Sequence, residues 1–284
     1  MGVKIEELLK YSSDFLKNAK IPSYNLDALL ILCSSLGVTK EDVIFSKVED
    51  DLVQKNLEKI QSLLVRRSNK EPLSHIIGYR EFYDDIFLVN QDVLDPRPDS
   101  EVLIESVFNI FDNKNKTIKI LELGVGSGCL LLSILKNFVN AFGVGADISK
   151  KALNIAWKNA NKMNLTDRVN LINSDWFANI EDQEFDLVIS NPPYIESKQI
   201  DNLQDEVKNF EPKIALDGGL SGLDCYKEIA SNINKFLAKE GYLFLEIGIG
   251  QEDEVIKIFQ DINMKFIEQK KDLAGIVRCL IFRK

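Results

Sequence analysis

The sequence predicts a parallel α/β sheet domain preceded by a small helical bundle. Two observations carry this. From about residue 119 onward, short apolar runs alternate with amphipathic segments of helical period, the pattern of a parallel sheet covered by helices on both faces. Residues 1 to about 70 show helical periodicity alone. A chain of 284 residues that is 45% hydrophobic and 28% charged has enough apolar surface to build a core for each part.

In the N-terminal part, Ile5, Leu8, Leu9, Phe15 and Leu16 recur at helical spacing, and Leu26, Leu29, Leu30 and Cys33 repeat the pattern. Thr39 in "TKEDVIF" is placed to cap the next helix, and Leu57, Ile60, Leu63 and Leu64 form a further stripe. These stripes are read as the core of a domain spanning 1–70. "KEPLSHIIGYREFYDDIFLVN" then breaks the period with Pro72 and Gly78 and alternates in Phe82, Ile86 and Leu88, as a hairpin linker over 71–95 would. In "LDPRPDSE" two prolines flank Arg97 and force an extended path. Asp99 or Ser100 follows as the cap of a helix with the stripe Val102, Leu103, Val107, Ile110 and Phe111, which opens a second domain, 96–284.

The strands of that domain are "IKILEL", "FGVGAD", "VNLIN", "FDLVISN" and "YLFLEI", and helices are expected from about Cys129, after Ser149, over 225–238 and over 252–260. The end, "KFIEQKKDLAGIVRCLIFR", reads as two strands joined by "DLAG", an antiparallel edge. The charged stretch "ESKQIDNLQDEVKNFEP" fits a solvated helix or a segment that orders on substrate binding.

Composition narrows the function classes. Cys33, Cys129, Cys225 and Cys279 form no C-x-x-C pair and His75 is the single histidine, which argues against a zinc site, a disulfide framework and a histidine-based nucleophilic triad. No metal is expected. Charges interrupt every apolar run before it reaches membrane-spanning length, so the chain is expected to be cytoplasmic, without a membrane segment. A net charge of −9 disfavours broad binding to phosphate backbones and favours a protein as partner.

The cofactor is read from "ILELGVGSGCL", where a strand runs into Gly124, Gly126 and Gly128 and then into a helix. Such glycines admit positive φ and let a ligand lie against bare backbone. The spacing is G-x-G-x-G rather than the dinucleotide pattern G-x-G-x-x-G, and Glu122 precedes it, where a carboxylate would repel a pyrophosphate but suits a cation. Asp147 ends the next strand, the position from which a carboxylate grips ribose hydroxyls. In "NSDWF", Asp175 is placed to accept from an adenine amino group and Trp176 to offer it a flat face. A positively charged nucleoside without phosphate meets these conditions, and S-adenosylmethionine is such a molecule. The expected cofactor set is Glu122, Gly124, Val125, Gly126, Ser127, Gly128, Asp147, Asp175, Trp176 and Asn191; Val125 would contribute through its backbone.

The expected chemistry comes from "SNPPYI". A buried strand, "FDLVI", stops at an asparagine followed by two prolines and a tyrosine, on the same sheet edge as the glycine loop. The prolines fix the Asn191 side-chain oxygen and the Pro192 carbonyl as two acceptors, which suit an NH₂ group, and Tyr194 adds an aromatic face. Asn191, Pro192 and Tyr194 are the expected catalytic residues, and Asn191, Pro192, Pro193 and Tyr194 the expected substrate holders.

The order "PRPDSE", "LELGVGSGCL", "NPPYI", "EPKIALDGGLSGLDCY", "EIGIGQ" and "DLAGIVR" resembles the protein-glutamine methyltransferases that modify peptide chain release factors, over essentially the whole chain. The resemblance implies a Rossmann-like class I S-adenosylmethionine-dependent methyltransferase fold, a seven-stranded mixed sheet with its last strand antiparallel, and an N-terminal helical domain that engages the substrate. It also implies methylation of the glutamine side-chain amide in the Gly-Gly-Gln motif of bacterial class 1 release factors, with S-adenosylhomocysteine as product. The rival readings are a glutamine methyltransferase of a ribosomal protein, a nucleic-acid adenine methyltransferase and a noncatalytic nucleotide-binding module. The acidic balance and the lack of a target-recognition domain weigh against the nucleic-acid enzyme, and the intact elbow against a mere binder.

Overall fold

The computed structural model describes residues 3–284, which divide into two compact units; one runs through Tyr79 and takes back Gln204–Phe210, and the other comprises Arg80–Leu203 and Glu211–Lys284. In the first unit α1 (Ile5–Asn18), α2 (Tyr24–Leu36), α3 (Lys40–Ile44), α4 (Asp50–Ser68) and α5 (Leu73–Ile77) enclose a core of Leu8, Leu16, Ile31, Leu32, Val53, Ile60 and Leu64. Thr39 caps α3 as expected: its hydroxyl accepts from the Asp42 N–H while Asp42 accepts from the Thr39 N–H. The stripe of α2 is rotated from the expected one. Leu26 is 51% exposed, and Ala28, Ile31, Leu32 and Leu36 face inward.

A buried guanidinium ties this unit together. Arg67 of α4 donates to Asp27 of α2 at 2.6 Å, to the Glu71 carbonyl at 2.9 Å and to Glu206 at 2.9 Å. Removing any of these acceptors would leave a desolvated charge poorly paired.

In the second unit β1 (Tyr79–Phe82) and β2 (Asp85–Leu88) form the expected hairpin, although β1 begins one residue inside the first unit. Its inward residues are Phe82, Phe87 and Val89, while Ile86 is 45% exposed, so the expected alternation through Ile86 and Leu88 is displaced by one residue. After α6 (Glu101–Ile110) come β3 (Lys119–Leu123), α7 (Cys129–Asn137), β4 (Phe142–Asp147), α8 (Lys150–Lys162), β5 (Val169–Asn173) and β6 (Phe185–Ser190). A short α9 (Asp205–Phe210) belongs to the first unit, and α10 (Asp224–Phe236), β7 (Leu237–Glu246), α11 (Glu252–Gln260), β8 (Lys265–Lys271) and β9 (Val277–Arg283) complete the chain.

These strands build a seven-stranded sheet of order β5-β4-β3-β6-β7-β9-β8. β3 to β7 pair in parallel and β9 runs antiparallel to both its neighbours. The reversed last strand is inserted between β7 and β8, and the terminal hairpin forms the antiparallel edge expected from sequence. The apolar strands divide their side chains between two clusters, one with Leu131, Leu135, Leu187 and Ile281 and the other with Leu123, Val188, Phe236 and Phe259, one on each face. Chain order reverses direction between β3 and β6, which opens a crevice at their carboxyl ends. No described helix is long and apolar enough to cross a membrane.

Candidate active site

A cavity of about 270 Å³ lies at that crevice, lined by residues of the second unit alone. The loop after β3 supplies Gly124, Val125, Gly126 and Ser127, the last residue of β4 is Asp147, the loops after β5 and β6 supply Asp175 and Trp176, then Asn191 and Pro193, and Glu122 lines it from within β3. Of the residues expected from sequence, Gly128, Pro192 and Tyr194 do not line it.

The glycine loop leaves β3 with φ of 73° at Gly124, 54° at Gly126 and 80° at Gly128, a left-handed conformation that side chains resist. A Cβ on Gly124 would meet nothing within 4 Å, so that face is open to a ligand; one on Gly128 would press on Leu132 at 3.0 Å, so this glycine serves the approach of α7. The loop is held from behind by Asn159 of α8, which donates to the Ser127 carbonyl at 2.9 Å, and by the Ala146 carbonyl, which accepts from the Gly124 and Val125 N–H groups.

The acids of the cavity differ in their settings. Asp147 accepts from the Gly126 N–H at 2.9 Å and the Ser149 N–H at 2.8 Å, and burial nevertheless raises its pKa. Glu122 is fully buried; loss of solvent pushes its carboxyl well above the usual range, against one hydrogen bond from the Leu131 N–H at 3.0 Å. Asp175 is exposed, and Trp176 is half-buried with a φ of 46°.

At the elbow, the Asn191 Nδ2 donates to the Ser100 Oγ at 3.2 Å, which leaves the Asn191 oxygen as its free acceptor. Ser100 makes no cap bond to α6, so this contact replaces the capping role expected for it. Tyr194 does not face the cavity because both its ends are engaged: its hydroxyl donates to Glu246 at 3.3 Å and its carbonyl accepts from Gln251 at 3.1 Å. Ser100, Glu246 and Gln251 escaped sequence reasoning as site residues; the blocks "PRPDSE" and "EIGIGQ" that carry them were the available signal. Arg97, also in the cavity wall, pairs with Glu211 through contacts of 2.6 and 2.7 Å.

These residues fit S-adenosylmethionine. The open backbone at Gly124 accepts a flat or extended ligand closely, and a desolvated carboxyl at Glu122 regains charge most readily beside a cation.

Residues 92–210 match the family of the methyltransferase small domain, and residues 7–78 match that of the PrmC N-terminal domain. A release factor glutamine methyltransferase of Caulobacter vibrioides is 38% identical over 93% of this chain and 90% of its own. A bifunctional methyltransferase of Rickettsia conorii is 37% identical over 99% of this chain, which spans only 58% of that longer protein. Among solved structures, a methyltransferase from Pyrococcus furiosus shares the fold with a TM-score of 0.50 and 16% identity, covering 80% of this chain and 98% of that one. With the Caulobacter identity sustained over nine-tenths of both chains, this chain belongs to the release factor glutamine methyltransferase family and is an S-adenosylmethionine-dependent enzyme.

Proposed function

We propose that the chain methylates the side-chain amide nitrogen of a release factor glutamine, the one in the Gly-Gly-Gln motif, in the cytoplasm. The observation that carries this reading is the meeting of the glycine loop and Asn191 in one cavity, at the carboxyl ends of the adjacent strands β3 and β6. Bound S-adenosylmethionine supplies an electrophilic methyl group and a neutral sulfur leaving group. The chain supplies position and electrostatics.

An amide nitrogen is a weak nucleophile because its lone pair is delocalised into the carbonyl. An acceptor that takes up its N–H orients that lone pair and favours a pyramidal nitrogen. The Asn191 oxygen is the acceptor offered here, with its NH₂ end retained by Ser100. Pro192 and Pro193 stiffen the backbone that carries it, and Tyr194 anchors the segment. Glu122 and Asp147 hold the charged and hydroxylated parts of the cofactor, and Asp175 with Trp176 its base, against the backbone of Gly124 to Ser127. Nucleic acid has no part in the reading, in line with a net charge of −9.

The test is transfer of label from S-adenosylmethionine to purified release factor, ribosomal protein and DNA in parallel, with the product mapped by mass spectrometry. Label on the Gly-Gly-Gln glutamine is expected. Label confined to ribosomal protein or DNA would overturn the reading.

A further inference from the structure

The blocks on either side of the cavity meet in a buried polar chain behind Asn191. Glu246 ends β7, directly beside the end of β6 from which Asn191 emerges, since Ser190 and Leu245 are register partners. Its carboxyl is 1% exposed. Oε1 accepts from Tyr194 at 3.3 Å, while Oε2 lies buried without a hydrogen-bond partner among the described residues. The Ser100 hydroxyl stands close enough to the carboxyl to hold its pKa down, and it is also the acceptor for Asn191 at 3.2 Å. Ser100, 3% exposed, has one hydrogen to give.

Resting on the methyl-transfer reading above, we propose that Glu246 is a positioning residue for that reaction: its carboxylate, through the Ser100 hydroxyl, fixes the Asn191 amide with its oxygen toward the cavity. A carboxylate only accepts hydrogen bonds. It draws the Ser100 hydrogen to itself, Ser100 then accepts from the Asn191 NH₂, and the Asn191 oxygen is left for the substrate. A protonated Glu246 donates to Ser100 instead. Ser100 then turns its hydrogen to Asn191, which favours the opposite amide orientation and removes the acceptor.

Burial raises Glu246 to a pKa of about 7, opposed by Ser100, Tyr194 and Arg278 and reinforced by Asp99. Arg278 also pairs with Asp99 at 2.8 Å and Asp272 at 3.0 Å, which spends much of its charge elsewhere. Tyr226, Cys129 and Cys279 face the same carboxyl, and burial keeps all three protonated through the neutral range. Glu246 is thus the group of this cluster that changes charge near neutrality.

The experiment is the pH profile of kcat for methylation of release factor at saturating S-adenosylmethionine, which removes the pH dependence of cofactor capture. Wild type should rise about tenfold per pH unit below an inflection near 7 and stay flat above it. Glu246→Gln and Ser100→Ala should lose that limb and fall below the wild-type plateau, with cofactor affinity retained, whereas Ser100→Thr, which keeps the hydroxyl, should preserve the limb. If Glu246→Gln does not fold, the contrast between the two Ser100 variants carries the test. An unchanged limb in Glu246→Gln, a flat wild-type profile, or equal behaviour of Ser100→Thr and Ser100→Ala would overturn the role while leaving methyl transfer standing. No transfer to release factor at any pH would overturn the methyl-transfer reading itself and this role with it.

Discussion

Glu122 is the residue on which the proposed selection of a cationic cofactor turns. Its buried carboxyl is raised well above the usual range by desolvation, and Asp147 nearby raises it further. A cationic ligand favours the ionised form, so binding below that raised pKa must expel a proton. Cofactor affinity should therefore increase as pH rises through the ionisation of Glu122 and level off above it, with proton release visible by calorimetry in buffers of different ionisation enthalpy. Glu122→Gln should flatten the dependence and weaken binding on the plateau by about tenfold or more. Pyrophosphate-bearing dinucleotides should gain rather than lose affinity in the same variant, and an unchanged profile in Glu122→Gln would remove the carboxyl from cofactor selection. The acid was legible in sequence because it sits two positions before the loop it serves. Ser100 and Glu246 were not legible as partners of the elbow, because 91 and 52 residues separate them from Asn191 and Tyr194, and only the tertiary fold brings them together.

At the scale of elements, the stretch "DGGLSG" explains itself through contact with the elbow. The Gly218 N–H donates to the Ile195 carbonyl at 2.8 Å and the Ile195 N–H to the Leu216 carbonyl at 3.0 Å, a bridge that clamps the chain just past Tyr194. A Cβ on Gly218 would come within 2.8 Å of the Pro193 carbonyl, and one on Gly222, at φ 72°, would collide with the Tyr194 carbonyl. The Gln251 amide closes the arrangement by donating to both the Tyr194 and Gly222 carbonyls. Gly222→Ala should thus destabilise the second unit by about 1–3 kcal/mol and lower kcat with cofactor affinity little changed, because the clash is with rigid backbone of the elbow and not with the glycine loop. Chemical denaturation and steady-state kinetics check this, and wild-type values for both would show that the elbow is not braced there. Strand and helix existence was readable from periodicity in this domain, as the match of "FGVGAD" and "VNLIN" to β4 and β5 shows. Register in the short β2 was not: Ile86 and Phe87 are both apolar, and four residues give the pattern too few repeats to settle which one faces the core.

At the scale of the whole molecule, the order β5-β4-β3-β6-β7-β9-β8 turns scattered motifs into a site. Reversal between β3 and β6 places the cofactor loop and the elbow on neighbouring strands, although 67 residues separate Leu123 from Ser190, whose hydroxyl donates to the Leu123 carbonyl at 2.7 Å. The alternation of strands and helices foretold the parallel sheet, but not that the last strand would be inserted inside its neighbour; "DLAG" announces a hairpin and carries no information about which arm pairs with β7. Nor did composition reveal that Gln204–Phe210 would return to the helical unit, where Glu206 accepts from Arg67 at 2.9 Å. In the proposed reaction the sheet sets a fixed acceptor at Asn191 opposite a cofactor site that does not depend on it. Its most direct test is a single-turnover methylation of release factor by Asn191→Ala, with S-adenosylmethionine affinity measured on the same sample. The transfer rate should fall by about 10²–10³ with cofactor affinity within a few-fold of wild type. A wild-type transfer rate, or equal losses of rate and affinity, would contradict it.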